Sequence, residues 1–144
     1  MKIVTLVMIF SILIFATTFT DGRQVKELGI TSLTIQFDKE NAIFTVNYNF
    51  ATWARTYLLL LGSKTLEPKI QSIFQNFDYE VIKIDQDKAI LRVKHISKLN
   101  KEYYLHNSQK FGDTIGTVYI LDSSNNRTRE YNNINATPNY FYKS

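Results

Sequence analysis

A cluster of basic residues with two tyrosines is the part of this sequence best suited to binding chemistry. Five lysine and arginine side chains fall between residues 92 and 110 against a single acid, Glu102, and this stretch alone carries +4, the net charge of the whole chain. Positive charge beside aromatic rings favours contact with an anionic surface. A solvated strand face and loop is the simpler interpretation of the same residues. The candidate basic interaction surface consists of Arg92, Lys94, Lys98, Lys101, Tyr103, Tyr104 and Lys110.

Residue types used in catalysis and metal binding are scarce. The chain has no cysteine and two histidines, His95 and His106, so thiolate sites and a cysteine nucleophile are excluded. A zinc site built on two histidines needs further carboxylate ligands, and their spacing here follows no metal-binding pattern. Neither a nucleophile elbow nor a phosphate-binding loop occurs. We therefore expect no cofactor, no metal and a non-enzymatic role, while carboxylates that converge only in the folded chain stay open as an alternative.

The first residues decide the compartment. Lys2 precedes an apolar run that extends from Ile3 to Phe19. Such a run behind a positive charge is typical of a secretory signal peptide or an uncleaved membrane anchor. Both interpretations place the body of the protein outside the cytoplasm by the positive-inside rule, with membrane contact through residues 3–19. A buried core helix is the third alternative, although such a helix usually shows a polar face.

The length of the chain, 144 residues, predicts a single domain. Residues 1–20 are interpreted as the signal peptide or N-terminal anchor and residues 21–30 as a linker. Residues 31–121 then form one α+β domain. The remainder, 122–144, is rich in Asn and Tyr and is interpreted as a polar tail or edge segment.

Hydrophobic periodicity predicts the fold class. Residues 32–50 and 79–93 each alternate around a polar break, which indicates two antiparallel hairpins, and 116–121 indicates a later strand. Residues 51–62 indicate a buried helix, and 65–77 carry apolar residues at three- and four-residue steps, as in an amphipathic helix. We expect an α+β fold in which an antiparallel sheet of four to five strands carries one or two helices on one face.

These observations together predict an exported or surface-anchored small domain with a binding role. The expected partner is an envelope component, an anionic surface polymer or a partner protein, and no nucleic acid is expected because an exported chain rarely meets it. Two sequons, at Asn126 and Asn135, are possible glycosylation sites. A small extracytoplasmic hydrolase that uses converging carboxylates and a carrier of a small apolar ligand stay open as alternatives.

Overall fold

The computed structural model describes residues 29–49, 62, 66–122 and 127–143. The predicted signal peptide or anchor and most of the predicted linker lie outside the described residues. The same holds for the predicted helix over 51–62, apart from Gly62. In the described ranges, no helix combines the length and the hydropathy that a membrane crossing requires.

Strands make up most of the described chain. The elements are β1 (Gly29–Asp38), β2 (Asn41–Asn49), α1 (Glu67–Phe74), β3 (Tyr79–Ile84), β4 (Lys88–Val93), β5 (Lys98–Asn100), β6 (Tyr103–His106), β7 (Lys110–Asp122), β8 (Arg127–Ala136) and β9 (Tyr140–Tyr142). Six strands form a sheet in the order β3-β4-β2-β1-β7-β8, which we call the main sheet. The pair β1 and β7 is parallel, and the other neighbours are antiparallel. Strands β5, β6 and β9 form a second antiparallel sheet, which we call the small sheet.

The predicted α+β fold is wrong. The described residues are mostly strands, arranged as a six-stranded mixed sheet and a three-stranded sheet with one short helix, rather than as a helix-covered antiparallel sheet of four to five strands. One reason is that β8 is an edge strand whose side chains are exposed or half-buried, so it carries no apolar alternation. A second reason is that β5 and β6 are only three and four residues long. Neither kind of strand leaves a clear periodic signal.

The first predicted hairpin is present as β1 and β2. Its alternation places one apolar face inward, where Leu33, Ile35 and Phe44 are fully buried. The two strands meet at a tight turn in which Lys39 has a φ of 53°. The second predicted hairpin is present as β3 and β4, and β4 joins β2 at Phe44↔Leu91. The buried faces of these four strands therefore form one continuous apolar surface.

Helix α1 covers part of this surface. It begins at Glu67, after Leu66 in the N-cap position, with Pro68 in the first turn, where the missing amide hydrogen costs nothing. Its residues Ile70 and Phe74 are buried, as the three- and four-residue spacing predicts. The ring of Phe74 meets the Phe44 ring edge to face, with centroids 5.8 Å apart. The helix is thereby fixed against the centre of the main sheet.

A close approach between α1 and β7 fixes the helix from the other side. Gly112 lies so near the helix backbone that a Cβ atom on it would sit 1.9 Å from the carbonyl oxygen of Ser72. No real Cβ tolerates that distance from a backbone atom, so any side chain here would push α1 off the sheet. Lys69 also forms a salt bridge to Asp113 at 3.5 Å. Glycine at position 112 therefore sets the spacing between helix and sheet.

We predict that Gly112→Ala lowers the free energy of unfolding by about 1–3 kcal/mol, the usual cost of overpacking. The control is Gly29→Ala, because a Cβ at Gly29 meets nothing within 4 Å. Urea unfolding of both variants is the measurement. Equal stability of the two variants would contradict the close approach of α1 and β7.

Candidate binding surface

The structure divides the predicted basic interaction surface into four places. Arg92 lies in β4, and Lys94 directly follows that strand. Lys98, Lys101 and Tyr103 belong to the hairpin of the small sheet. The other two predicted residues take separate positions, described below. The seven residues therefore do not form one continuous surface.

The Arg92 and Lys94 side chains form salt bridges to an acidic residue on the neighbouring strand. Glu80 Oε1 lies 3.0 Å from Arg92 Nη1, and Glu80 Oε2 lies 2.8 Å from Lys94 Nζ. The hydrogen bond from Lys94, with a smaller contribution from Arg92, lowers the pKa of the Glu80 carboxyl group. The same contact raises the pKa of Lys94. This part of the predicted surface is a local ion cluster in which Glu80 neutralises one of two positive charges.

Tyr104 and Lys110 also lie apart from the exposed hairpin side chains. Tyr104 faces the opposite side of the small sheet, where its ring stacks on Tyr142 with centroids 5.7 Å apart. Lys110 begins β7, and its carbonyl oxygen accepts a hydrogen bond from Asn76 at 3.0 Å. Neither residue contributes to the outward side of the small sheet. The structure therefore keeps three of the seven predicted residues, Lys98, Lys101 and Tyr103, on one side of that sheet.

The outward side of the small sheet gathers lysines around exposed apolar side chains, and we call it the aromatic-basic face. Strand pairing aligns Lys98, Leu105 and Phe141 in one row across β5, β6 and β9. Phe141 is 68% exposed, which is far above the exposure of an ordinary phenylalanine. The face consists of Lys98, Asn100, Lys101, Tyr103, Leu105, Phe141 and Lys143.

The turn between β5 and β6 forms one end of this face. Lys101 has a φ of 57° at the first position of the two-residue turn, the left-handed backbone that tight hairpins require. Next to the turn, Lys143 Nζ lies 6.0 Å from the centre of the Tyr103 ring and 3.3 Å from Glu102 Oε2. An open groove of about 560 Å³ is lined by the turn, by the neighbouring β6 residues and by Phe141. The lining of the groove therefore contains both charged and apolar side chains.

The inward side of the small sheet attaches it to the end of β1. The ring of Phe37 lies 4.8 Å from the Tyr142 ring, 5.4 Å from the Tyr140 ring and 5.2 Å from the His106 ring. The Tyr142 hydroxyl donates a hydrogen bond to the carbonyl oxygen of Lys39. Burial raises the pKa of Tyr142 to about 12, so this donor keeps its proton at neutral pH. These contacts hold the aromatic-basic face in a fixed orientation.

His106 is a buried polar residue within this attachment. Its Nδ1 lies 2.8 Å from the carbonyl oxygen of Ile96, and its Nε2 lies 2.7 Å from Thr137 Oγ1. The backbone amide of Gln109 donates to the same Thr137 oxygen at 2.9 Å. A neutral ring pairs both of its nitrogens here, because Nδ1 donates to the Ile96 carbonyl oxygen and Nε2 accepts from the Thr137 hydroxyl. Burial lowers the pKa of His106, which favours this neutral form.

The structure describes one of the two predicted glycosylation sites. Asn126 lies outside the described residues. Asn135 is exposed on β8, whereas Thr137, the third residue of its sequon, is 1% exposed and bonded to His106. The hydroxyl of Thr137 is therefore part of the buried network once the chain has folded.

The described residues supply little that catalysis needs. No group of three or more His, Cys, Asp or Glu side chains within these ranges is placed to hold a metal ion. His95 is 79% exposed and faces Asp78 at 3.5 Å, while His106 is enclosed by its hydrogen bonds. The aromatic-basic face is the arrangement of exposed charged and apolar side chains on which a proposal can be based.

Comparisons of this chain with protein-family models, with curated proteins and with solved structures give no match. Function therefore has to be argued from the site alone.

Sequence reasoning missed four residues of the face, namely Asn100, Leu105, Phe141 and Lys143. Phe141 and Lys143 lie about 40 positions after the hairpin to which β9 pairs, and Leu105 lies in a strand too short to show alternation. The available signal was Tyr140 to Tyr142, whose three aromatic residues favour a strand. That signal does not identify the strand with which residues 140–142 pair.

We predict that His106 makes stability depend on pH. Its pKa in the folded chain lies below the usual 6.5, so the unfolded chain binds the proton first as the pH falls. The contribution of His106 to stability is therefore complete above about pH 6.5 and is lost as the pH falls from there toward the lowered value. NMR titration of the His106 ring, with urea unfolding from about pH 7.5 to about pH 5, is the measurement.

The control for this prediction is His95→Asn, because His95 is exposed and asparagine tolerates its φ of 51°. This variant should leave the NMR titration of the His106 ring unchanged. A folded-state pKa of His106 at or above 6.5 would contradict the prediction.

Proposed function

We propose that this chain is an exported or surface-anchored, non-enzymatic domain that binds an anionic extracytoplasmic surface through the aromatic-basic face. The observation that carries the proposal is the exposure of Phe141, 68%, in a strand row that also contains Lys98. An exposed aromatic residue with adjacent positive charge is typical of a binding surface.

The charges of the face favour an anionic partner. Lys98 and Lys101 carry no salt bridge to a described acid within 4.0 Å, whereas Lys143 shares its charge with Glu102. The face and its turn therefore hold three lysines against one acid. An excess of positive charge raises the local concentration of an anionic partner and the rate of encounter.

Export and anchoring rest on the sequence alone. The apolar run of residues 3–19 behind Lys2 supports a secretory signal or a membrane anchor. An extracytoplasmic location favours acidic polymers and lipid headgroups as partners over nucleic acid.

The alternative functions have less support. A carrier of an apolar ligand needs space between helix and sheet, but Phe44 and Phe74 are fully buried and in ring contact there. A hydrolase needs converging carboxylates, and the carboxylate of Glu80 is bonded to two cations instead. Neither alternative has a specific observation in its favour.

We predict that Lys98→Gln combined with Lys101→Gln weakens binding to immobilised dextran sulfate by about twenty-five-fold, because each basic residue near an anionic surface contributes about fivefold. The matched control is Arg92→Gln combined with Lys94→Gln, which removes the same charge from the cluster at Glu80. Surface plasmon resonance at low and at physiological salt is the measurement, since screening should reduce the difference.

Equal losses in the two double variants would mean that only net charge matters, and would contradict the proposal. Absence of binding by the unmodified chain to both dextran sulfate and anionic vesicles would also contradict it.

A further inference from the structure

We infer that the aromatic-basic face binds a lipid bilayer that contains anionic headgroups, with its apolar side chains entering the interface and its lysines contacting phosphate groups. This inference rests on the proposed function and names the partner of the same face.

The centre of the face is apolar. Leu105 and Phe141 are direct neighbours across β6 and β9, and they are 38% and 68% exposed. Neither side chain has a hydrogen-bonding atom, so a hydrated polymer gains little from contact with them. Transfer of both into the boundary between headgroups and acyl chains removes apolar surface from water, which is favourable.

The periphery of the face has the composition of a membrane interface. Lys98 lies in the same strand row as Leu105 and Phe141, Lys101 lies at the turn, and Lys143 lies over the Tyr103 ring. The long lysine stem lies along apolar surface while the ammonium group reaches phosphate oxygens. Tyrosine is enriched where a protein meets the headgroups. The lysines therefore surround a centre able to enter the bilayer.

An acidic polysaccharide is the competing partner. Sugar rings stack on flat aromatic side chains and require hydrogen-bonding groups around them, and Asn100 and Tyr103 supply part of such a surface. The aliphatic side chain of Leu105 at the centre of the face has no role in that recognition. The bilayer accounts for Leu105, Phe141 and the lysines together.

Because the chain contains no cysteine, a single introduced cysteine can be labelled specifically. Asn100→Cys places a single thiol on the face without removing an apolar or basic residue, and Ile82→Cys places one on β3, where the side chain is 49% exposed. Each full-length variant is labelled with a nitroxide and mixed with vesicles of phosphatidylcholine, alone or with phosphatidylglycerol. Both proteins carry residues 3–19, so association through that segment contributes equally to both.

We expect vesicles with phosphatidylglycerol to reduce the accessibility of the label at position 100 to a water-soluble nickel complex severalfold. The label at position 82 should keep its accessibility, and pure phosphatidylcholine should have little effect on either. Adding Phe141→Ala, or Lys98→Gln with Lys101→Gln, should restore the accessibility at position 100, while Arg92→Gln should not. Circular dichroism establishes that each variant is folded.

Two results would overturn the inference. If dextran sulfate protects the label at position 100 and vesicles do not, the proposed function stands and the partner is a polymer. If neither changes the label at position 100 more than the label at position 82, the inference and the proposed function both fail. Equal protection by pure phosphatidylcholine would also overturn the inference, because the lysines would then have no part in binding.

Discussion

The packing of Phe37 against the small sheet is the interaction on which the proposed site depends. Strands of three and four residues are too short to persist alone, and a small sheet needs an apolar surface to pack on. Phe37, at the end of β1, provides that surface through ring contacts with Tyr140 and Tyr142 on β9 and with His106 on β6. Alternation then turns Leu105 and Phe141 to the opposite side. One side of the small sheet is exposed because the other side is anchored.

The main sheet positions Phe37. Strand β1 lies between β2 and β7, and its inward residues Leu33 and Ile35 are fully buried. The close approach of Gly112 to Ser72 places α1 over the same apolar side. The end of β1 is therefore a rigid support, and the orientation of the face follows from the core of the domain.

The sequence predicts local pairing well and distant pairing poorly. Alternation over 32–50 and 79–93 predicts two hairpins because each is closed by a short polar turn and buries one face. The parallel pairing of β1 with β7 joins residues that are about 85 positions apart, and no local pattern encodes it. The same limit applies to the site. Lys98, Lys101 and Tyr103 are visible as a local cluster, whereas Phe141 joins them only through the register between β6 and β9, and Glu80 neutralises Arg92 only through the register between β3 and β4.

Amide hydrogen exchange tests most directly whether Phe37 holds the face in place. The comparison is between the unmodified chain and Phe37→Leu, which keeps an apolar side chain but removes the ring contacts. We predict that amides of β6 and β9 lose protection in the variant, while amides of β2 and β4 keep theirs. Unchanged protection of β6 and β9 would mean that the small sheet is held by other contacts, and would contradict this role of Phe37.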